Sequence, residues 1–445
     1  MTEISSLQSG GAPSEVAART RRLLAGSPLT ELVEFYKDLH SHPELSGQEV
    51  RTSELVADHL RAAGADVTTR IGGTGVVGLL SNGQGPLVMA RADMDALPVA
   101  EKTGFDYAST VVALGQDGRP TPVMHACGHD VHVTALVGMV DALARAKDQW
   151  HGTLMAIAQP AEETAEGAEA MLRDGIFRRF GKPDVALAQH VEALGIGHVA
   201  HAPGLMASAA LNVEVDIHGR GGHAATPEVC VDPIVVASAV VLRLQTIVSR
   251  ELPPGEPAVV SIGAFHSGAK ANVIPDDAHL ALNLRFQSEA TRDKLLEAIE
   301  RITRAECVAA RCPRDPEMRT SCYFPVTVND QAVTSVTRAV HEELFGVSNV
   351  HDLPVAMGSE DFSAFGVADP VHHYEGPAIP YCYWNFGGYP TQVWEDAPGT
   401  TYWAKVTSLP GAHTGSFAPE PEGAIVTGLF ALTGAVLAFL SPGSS

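Results

Sequence analysis

The chain has 445 residues, 45% hydrophobic and 18% charged, which suits a soluble protein with more than one core. Asp and Glu outnumber Lys and Arg 52 to 30, a net charge of −22 that disfavours nucleic-acid backbones and anionic membranes as partners. The six cysteines, Cys127, Cys230, Cys307, Cys312, Cys322 and Cys382, contain no Cys-x-x-Cys pair, so free thiols in a reducing, cytoplasmic compartment are expected rather than a structural zinc site.

The opening "MTEISSLQSGGAPSE" lacks the basic start and apolar run of a secretory leader, and residues 1–28 read as a mobile N-terminal extension or a frayed helix. "LTELVEFYKDLHSHPE" and "QEVRTSELVADHLRAAG" then carry apolar residues at three- and four-residue spacing, the second ending at a glycine stop. "TGVVGLL" and "PLVMARAD" read as strands, "VTALVGMVDALARAKDQ" as a helix, "TLMAIAQPAEE" as a strand, "MLRDGIFRRFG" as a helix and "DVALAQHV" as a strand. This alternation predicts an α/β domain with helices on the faces of its sheet.

Near Ser208 the pattern changes. "LNVEVDIHG" alternates strictly, followed by the helix "DPIVVASAVVLRLQTIVSR", the strands "PAVVSIGAF" and "AHLALNLRF", the helix "TRDKLLEAIERITRAECVAA" and a further strand at "MRTSCYF". That order predicts a small sheet with two helices on one face, a second domain at 207–322 inserted into a first one formed by 29–206 and 323–445. The 18-residue apolar run Gly423–Leu440 lacks basic flanks and reads as a buried C-terminal helix rather than a membrane span.

Three predicted strands end in polar residues: Asp93 and Asp95, Glu162 and Glu163, and His190. In open α/β sheets ligands bind at such carboxyl ends. "MHACGHDVH" adds Cys127 and His129, two residues apart in a turn before a helix. Thiolate, imidazole and carboxylate together suit Zn²⁺, Mn²⁺, Co²⁺ or Ni²⁺, and of two adjacent glutamates one can bind metal while the other takes a proton from water. A Cys–His nucleophile pair is the rival chemistry, though it leaves Glu162, Glu163 and His190 without roles. In isolation each fragment also has a plain structural explanation, a turn or a solvated helix start.

The segments "DLHSHPELSGQE", "ARADMDALPV", "MHACGHDVH", "QPAEETAEGA", "GRGGHAATP", "ANVIPD", "GSEDFS" and "PGAHTGSFAP" resemble, in order, the aminoacylase/carboxypeptidase family of metallohydrolases. The closest likeness is to its amidohydrolase branch, which contains hippurate hydrolase and the plant auxin–amino acid conjugate hydrolases. The resemblance implies a catalytic α/β sheet domain of zinc-peptidase type with an inserted ferredoxin-like α+β domain, through which subunits form a homodimer. It implies two divalent ions per subunit, Zn²⁺ or Mn²⁺ first and Co²⁺ or Ni²⁺ as alternatives, held by Cys127, His129, Glu163, His190 and His413. Glu162 becomes the general base, His223 a stabiliser of the tetrahedral intermediate, Asn272 and Arg285 contacts to a substrate carboxylate, and Gly358 and Ser359 a backbone lining of the same pocket. His125 and His132 become neighbours that support the ligands. Glu360 and Asp361 read as caps of the helix that follows. Two departures stand out. Asp93-Met94-Asp95 occupies the place of the wider family's metal-binding His-x-Asp, leaving Asp95 to orient the ligands. His413 sits in "HTGSF" where related chains have "HSPxF".

The implied reaction is hydrolysis of the amide bond of a small-molecule N-acyl amino acid or related conjugate, by metal-bound hydroxide with a glutamate base. The alternatives are a dipeptidase or carboxypeptidase using the same site, or a binding protein that has lost catalysis.

Overall fold

The runs "LVMARAD", "WHGTLMAIAQ" and "VALAQHV" are apolar at nearly every position, the pattern of strands covered on both faces. In the computed structural model, which describes residues 11–115, 118–366 and 378–443, they form the centre of a nine-stranded sheet. Its strands are β1 (Asp66–Ile71), β2 (Gly75–Asn82), β3 (Leu87–Asp93), β4 (Trp150–Gln159), β5 (Val185–Gly195), β6 (Val199–His201), β7 (Val350–Asp352) and β8 (Tyr381–Tyr389), with Ser441–Pro442 paired onto β4. The order is β1-β2-β4-β3-β5-β8-β6-β7. The β4-β3-β5-β8 centre is parallel, and β1, β2 and the β8–β6 pair are antiparallel.

Alternation along each strand sends side chains to two cores. Val88, Ala90, Leu154, Ala156 and Leu187 meet the helices α1 (Pro13–Leu24), α2 (Leu29–Ser41), α3 (Val50–Ala62), α4 (His129–Arg145), α5 (Gln331–Phe345) and α6 (Pro421–Phe439). Met89, Met155, Ile157, Ala186 and Ala188 meet Met171, Phe177, Phe362 and Phe365 on the other face. Helix α6 starts with Pro421 behind Glu420, whose carboxylate accepts the amides of Glu422 and Gly423. It is long and apolar enough to cross a membrane, but 78% of its apolar window is buried inside the protein. Gly428 lets it approach β8 closely, because a Cβ there would lie 2.9 Å from the Phe386 ring.

Two boundaries differ from the sequence expectation. The stretch 1–28 was expected to be a mobile extension or a frayed helix, and its first ten residues lie outside the described ones. From Pro13 it is the helix α1, with Val16, Ala17, Leu23 and Leu24 buried on one side. The buried Arg19 guanidinium donates to the Leu437 carbonyl at 2.6 Å, and that long-range partner is what a local pattern does not reveal. The second difference lies at the inserted unit. Met1–Met206, Val328–Pro354 and Asp361–Ser445 form one compact unit, and Ala207–Thr327 and Val355–Glu360 form a second. Segment 355–360 belongs to the second unit because the Ser208 amide donates to the Ala356 carbonyl at 3.0 Å.

Within that second unit, strands Ala209–His218, Ala258–Ser267, Asp277–Phe286 and Glu317–Phe324 pair antiparallel, in the spatial order second, third, first, fourth. Helices Pro233–Leu244 and Glu289–Ala309 bury Val240, Leu244, Leu295 and Ile299 against Val213, Val215, Leu280 and Leu282. This is the ferredoxin-like β-α-β-β-α-β arrangement.

Candidate metal centre

The centre grows from the carboxyl ends of the parallel strands. β3 pairs with β5 only as far as Arg91 and Ala188, so Asp93, Asp95 and His190 emerge together where the ladder stops. Cys127 and His129 flank Gly128, which begins α4 with φ +79°, in the left-handed region. A Cβ at that glycine would lie 2.3 Å from Val191 Cγ1, so the turn that presents both residues requires glycine on two counts. Glu162 and Glu163 sit between Ala161 and Ala165, two non-glycine residues with φ of 49° and 59°. Such strain persists where surrounding contacts impose it. Here the buried Glu49 carboxylate accepts the Ala161 amide at 2.9 Å and the Thr74 hydroxyl at 2.6 Å.

The donors converge as overlapping groups, each with ligand atoms within 4.8 Å: Cys127, His129 and His190; Cys127, Glu163 and His413; and His129, Glu162 and Glu163. Cys127 Sγ lies 3.2 Å from His190 Nε2 and 3.4 Å from His413 Nε2. His413 Nε2 lies 3.3 Å from Glu163. His413 reaches the group from a loop with φ +68°, its amide bonded to the Ala126 carbonyl at 2.8 Å.

Backbone and carboxylate partners fix the imidazoles. Carboxylate and carbonyl oxygens only accept, so His129 Nδ1–H donates to Asp95 (3.1 Å) and His190 Nδ1–H to the Val191 carbonyl (2.7 Å). Each ring then turns an Nε2 toward the shared centre, the tautomer a metal ligand needs. The other oxygen of Asp95 accepts the Glu163 amide at 3.0 Å and the Ser46 hydroxyl at 2.6 Å. Asp93 takes Arg91 and His132, both at 2.6 Å, and His132 Nε2 accepts the Val191 amide at 2.8 Å.

The electrostatics follow from burial and these neighbours. Burial alone would raise Asp93, but His129, Arg91 and His132 hold it well below the ordinary carboxylate range. Burial alone would lower His129, but Asp93 and Asp95 lift it to about 10, so a cation bound at Nε2 would displace the proton carried there. Burial keeps His132 and His125 near 4. Burial and the adjacent Glu163 push the Cys127 thiol well above its usual value, and a bound cation would supply the charge that a thiolate needs there. A cation fits this set. His129 Nε2 and Glu163 Oε1 are buried, have no hydrogen-bond partner among the described residues and stand 3.9 Å apart. Each unsatisfied atom costs about 1–3 kcal/mol, and divalent ions bound at this centre would satisfy both.

The remaining sequence-derived residues lie in the second unit. His223 pairs in register with Val273, and the Ala224 amide donates to the Asn272 carbonyl at 3.3 Å, so His223 and Asn272 share one exposed corner. Arg285 Nη1 donates to the Ser359 hydroxyl at 2.7 Å and Arg285 Nε to Asn283 at 2.9 Å. Ser359 thus meets Arg285 through its side chain, next to the exposed Gly358. The Asp361 carboxylate, expected as a cap of the helix that follows, accepts Arg91 (3.0 Å), Gln159 (2.8 Å) and the Ala168 amide (3.1 Å), and the cationic Arg91 lies buried beside it. Sequence reasoning missed Glu49 and Ser46 and the bond between Asp93 and His132. His132 was expected only as a neighbour supporting the ligands, and Asp93 was noted only for its position at a strand end.

Residues 89–378 match the profile of Peptidase family M20/M25/M40. Over 344 residues the chain is 34% identical to the IAA-amino acid hydrolase ILR1-like 4 of Arabidopsis thaliana, covering 77% of this chain and 76% of that one. Over 331 residues it is 37% identical to the hippurate hydrolase of Campylobacter jejuni, covering 74% and 82%. The crystal structure of a dinuclear metal binding peptidase from Bacillus subtilis superposes with a TM-score of 0.69 at 25% identity, covering 92% of this chain and 97% of that one.

Proposed function

The chain belongs to Peptidase family M20/M25/M40 and is a hydrolase of amide bonds, and on that premise we propose that it cleaves N-acyl amino acids or related conjugates. The observation that carries the metal dependence is the pair of orphaned atoms, His129 Nε2 and Glu163 Oε1, inside a set of overlapping donor groups, two of which contain Cys127. Cys127, His129, Glu163, His190 and His413 would hold two divalent ions. Bound there, the ions would supply the positive charge that acidifies a water and polarises the scissile carbonyl.

The protein's own groups do the rest. Glu162, 6% exposed and within 4.8 Å of the His129 and Glu163 donor atoms, takes the proton of the attacking water and delivers it to the leaving amine. His223 Nδ1 accepts the Ala225 amide at 3.0 Å, so Nε2 carries the proton and is the donor for the developing oxyanion. Arg285, held by Ser359 and Asn283, pairs with the carboxylate of the amino acid, with Asn272 and the Gly358–Ser359 backbone beside it.

A homodimer through the inserted unit is supported by the exposed Val235 (65%) and Leu242 (74%) on its first helix. Six free cysteines support a reducing, cytoplasmic setting.

The test is metal content together with hydrolysis of hippurate and N-acetyl amino acids, before and after chelation and restoration. About two ions per chain, with activity lost and regained, is the expected result. Dipeptides cleaved faster than acyl amino acids would make it a dipeptidase or carboxypeptidase. No turnover of either class with any restored metal would leave a binding protein.

A further inference from the structure

The second helix of the inserted unit, Glu289–Ala309, is followed by a residue in the left-handed region, Arg311 with φ +60°. The Arg311 amide donates to the Val308 carbonyl at 3.1 Å, and the Cys312 amide to the Cys307 carbonyl at 2.9 Å. These two bonds define a Schellman cap, in which the side chain at the place of Cys312 rests on the one at the place of Cys307. Here both places hold cysteine. Given the 2.9 Å bond between their backbones, standard bond lengths keep the two Cα atoms within about 7 Å, the limit for a disulfide that forms without backbone movement.

The two thiols differ in access. Cys307 is 3% exposed and belongs to the core of the unit, with Leu295, Ile299 and Ile302. Cys312 packs against that core but is only partly buried. Burial, with Cys312 alongside, pushes the Cys307 thiol up to about 12. A thiol attacks as its thiolate, so exchange begins at Cys312 and Cys307 follows. Neither sulfur belongs to the donor groups of the metal centre.

We propose that Cys307 and Cys312 are a reversible oxidation site, closed to a disulfide by low-molecular-weight disulfides of the glutathione class. The Cys312 thiolate attacks one sulfur of the small disulfide, forming a mixed disulfide and releasing the first small thiol. The Cys307 sulfur then attacks Cys312 Sγ, and the bond from Cys312 to the small molecule breaks. This second step is intramolecular, between groups the cap already holds together. The proton of each protein thiol ends on a released small thiol. The protein thus loses two electrons and two protons, and one small disulfide becomes two thiols. Excess reduced small thiol reverses both steps.

The experiment incubates the full-length, metal-loaded protein with oxidised glutathione, alkylates the remaining thiols, and maps tryptic fragments by mass spectrometry without reduction. Cleavage after Arg304, Arg311 and Arg314 separates the two cysteines, so a bridge is read as fragments 305–311 and 312–314 joined, two hydrogens lighter than their sum. The expected result is that joined pair, parted again by reduced glutathione. Cys307→Ser should stop with one glutathione on Cys312, and Cys312→Ser should leave Cys307 unmodified over the same time. The unaltered chain alone decides whether the bridge forms, and the serine variants decide the order of attack. Both thiols left free, a mixed disulfide on Cys312 that never resolves, or a joined pair that appears only in urea would each overturn the inference. Cys307 reacting equally fast in Cys312→Ser would overturn the assigned order.

Discussion

Asp95 binds two of the proposed ligands at once: one carboxylate oxygen lies 3.1 Å from His129 Nδ1 and the other accepts the Glu163 amide at 3.0 Å. It therefore sets the distance between an imidazole and a carboxylate that come from different loops. Asp95→Asn keeps the shape but places an amide nitrogen against one of two donors. Metal affinity is expected to fall about 10–100-fold, the usual cost of losing such a partner, with the fold retained. Competition against a chromogenic chelator, alongside circular dichroism, measures it; an unchanged affinity would remove Asp95 from the ligand-orienting role.

Cys127 belongs to two of the donor groups, whereas His413 belongs to one. Cys127→Ala should cost both ions, and His413→Ala should leave about one per chain held by Cys127, His129 and His190. Elemental analysis of each variant after dialysis against the free metal reads the difference. Equal stoichiometry in the two variants would contradict a shared thiolate.

Glu162→Gln retains the size of the side chain and removes its proton-accepting oxygen. Turnover should fall by about 10²–10⁴-fold, the range for loss of general acid–base catalysis, while metal content stays at its original value. A variant that turns over normally would exclude Glu162 as the base.

The buried pair His201 and His341 makes a separate prediction about acid stability. His341 Nε2–H donates to the Ala431 carbonyl at 3.0 Å, so its Nδ1 accepts from His201 Nε2 at 2.9 Å and both rings are neutral. Burial, with the neighbouring His341, depresses His201 well below its ordinary value, and burial holds His341 near 4. Both folded values lie below the unfolded 6.5, so the unfolded chain binds more protons as pH falls through that point. Stability contributed by the pair is present above pH 6.5 and is lost on the way down toward 4, by up to about 1.4 kcal/mol per pH unit for each ring. Urea midpoints at pH 7 and pH 5 should differ accordingly, and the acid-side slope should flatten in His341→Gln. An identical slope in that variant would assign the acid sensitivity to other groups.

Sequence pattern revealed the parts of the fold that repeat locally. Continuous apolar strands such as Leu87–Asp93 and the alternating Ala209–His218 announce a doubly covered and a half-exposed sheet through their periods alone. Helix α1 escaped because its buried face includes Arg19 and Thr20, polar residues satisfied by partners hundreds of residues away or by the helix itself. Segment 355–360 escaped because a backbone bond to Ser208, not a side-chain pattern, assigns it to the inserted unit. At the metal centre, residues at strand ends were legible, and of those that hold them Asp95 and His132 were picked out but Glu49 was not. Glu49 acts through the Ala161 amide and His132 through the Val191 amide, and neither bond leaves a trace in side-chain spacing. His413 is intermediate: its loop has no periodicity, and only the resemblance of "GAHTGSF" singled it out.

The placement of α6 bears on how the chain comes off the ribosome. This helix packs against α1, α2, α4 and α5 and against strands β5 and β8, and Arg19 from the first described helix grips its last turn. Until residues 421–439 have emerged, the parts of α4 and of strands β5 and β8 that α6 covers stay open. The catalytic unit therefore cannot complete its core vectorially, from N-terminus onward; it must wait, partly open, for the arrival of its final helix. A nascent chain halted at Glu420 would expose that unclosed surface and be a substrate for chaperones and proteases rather than a smaller working enzyme.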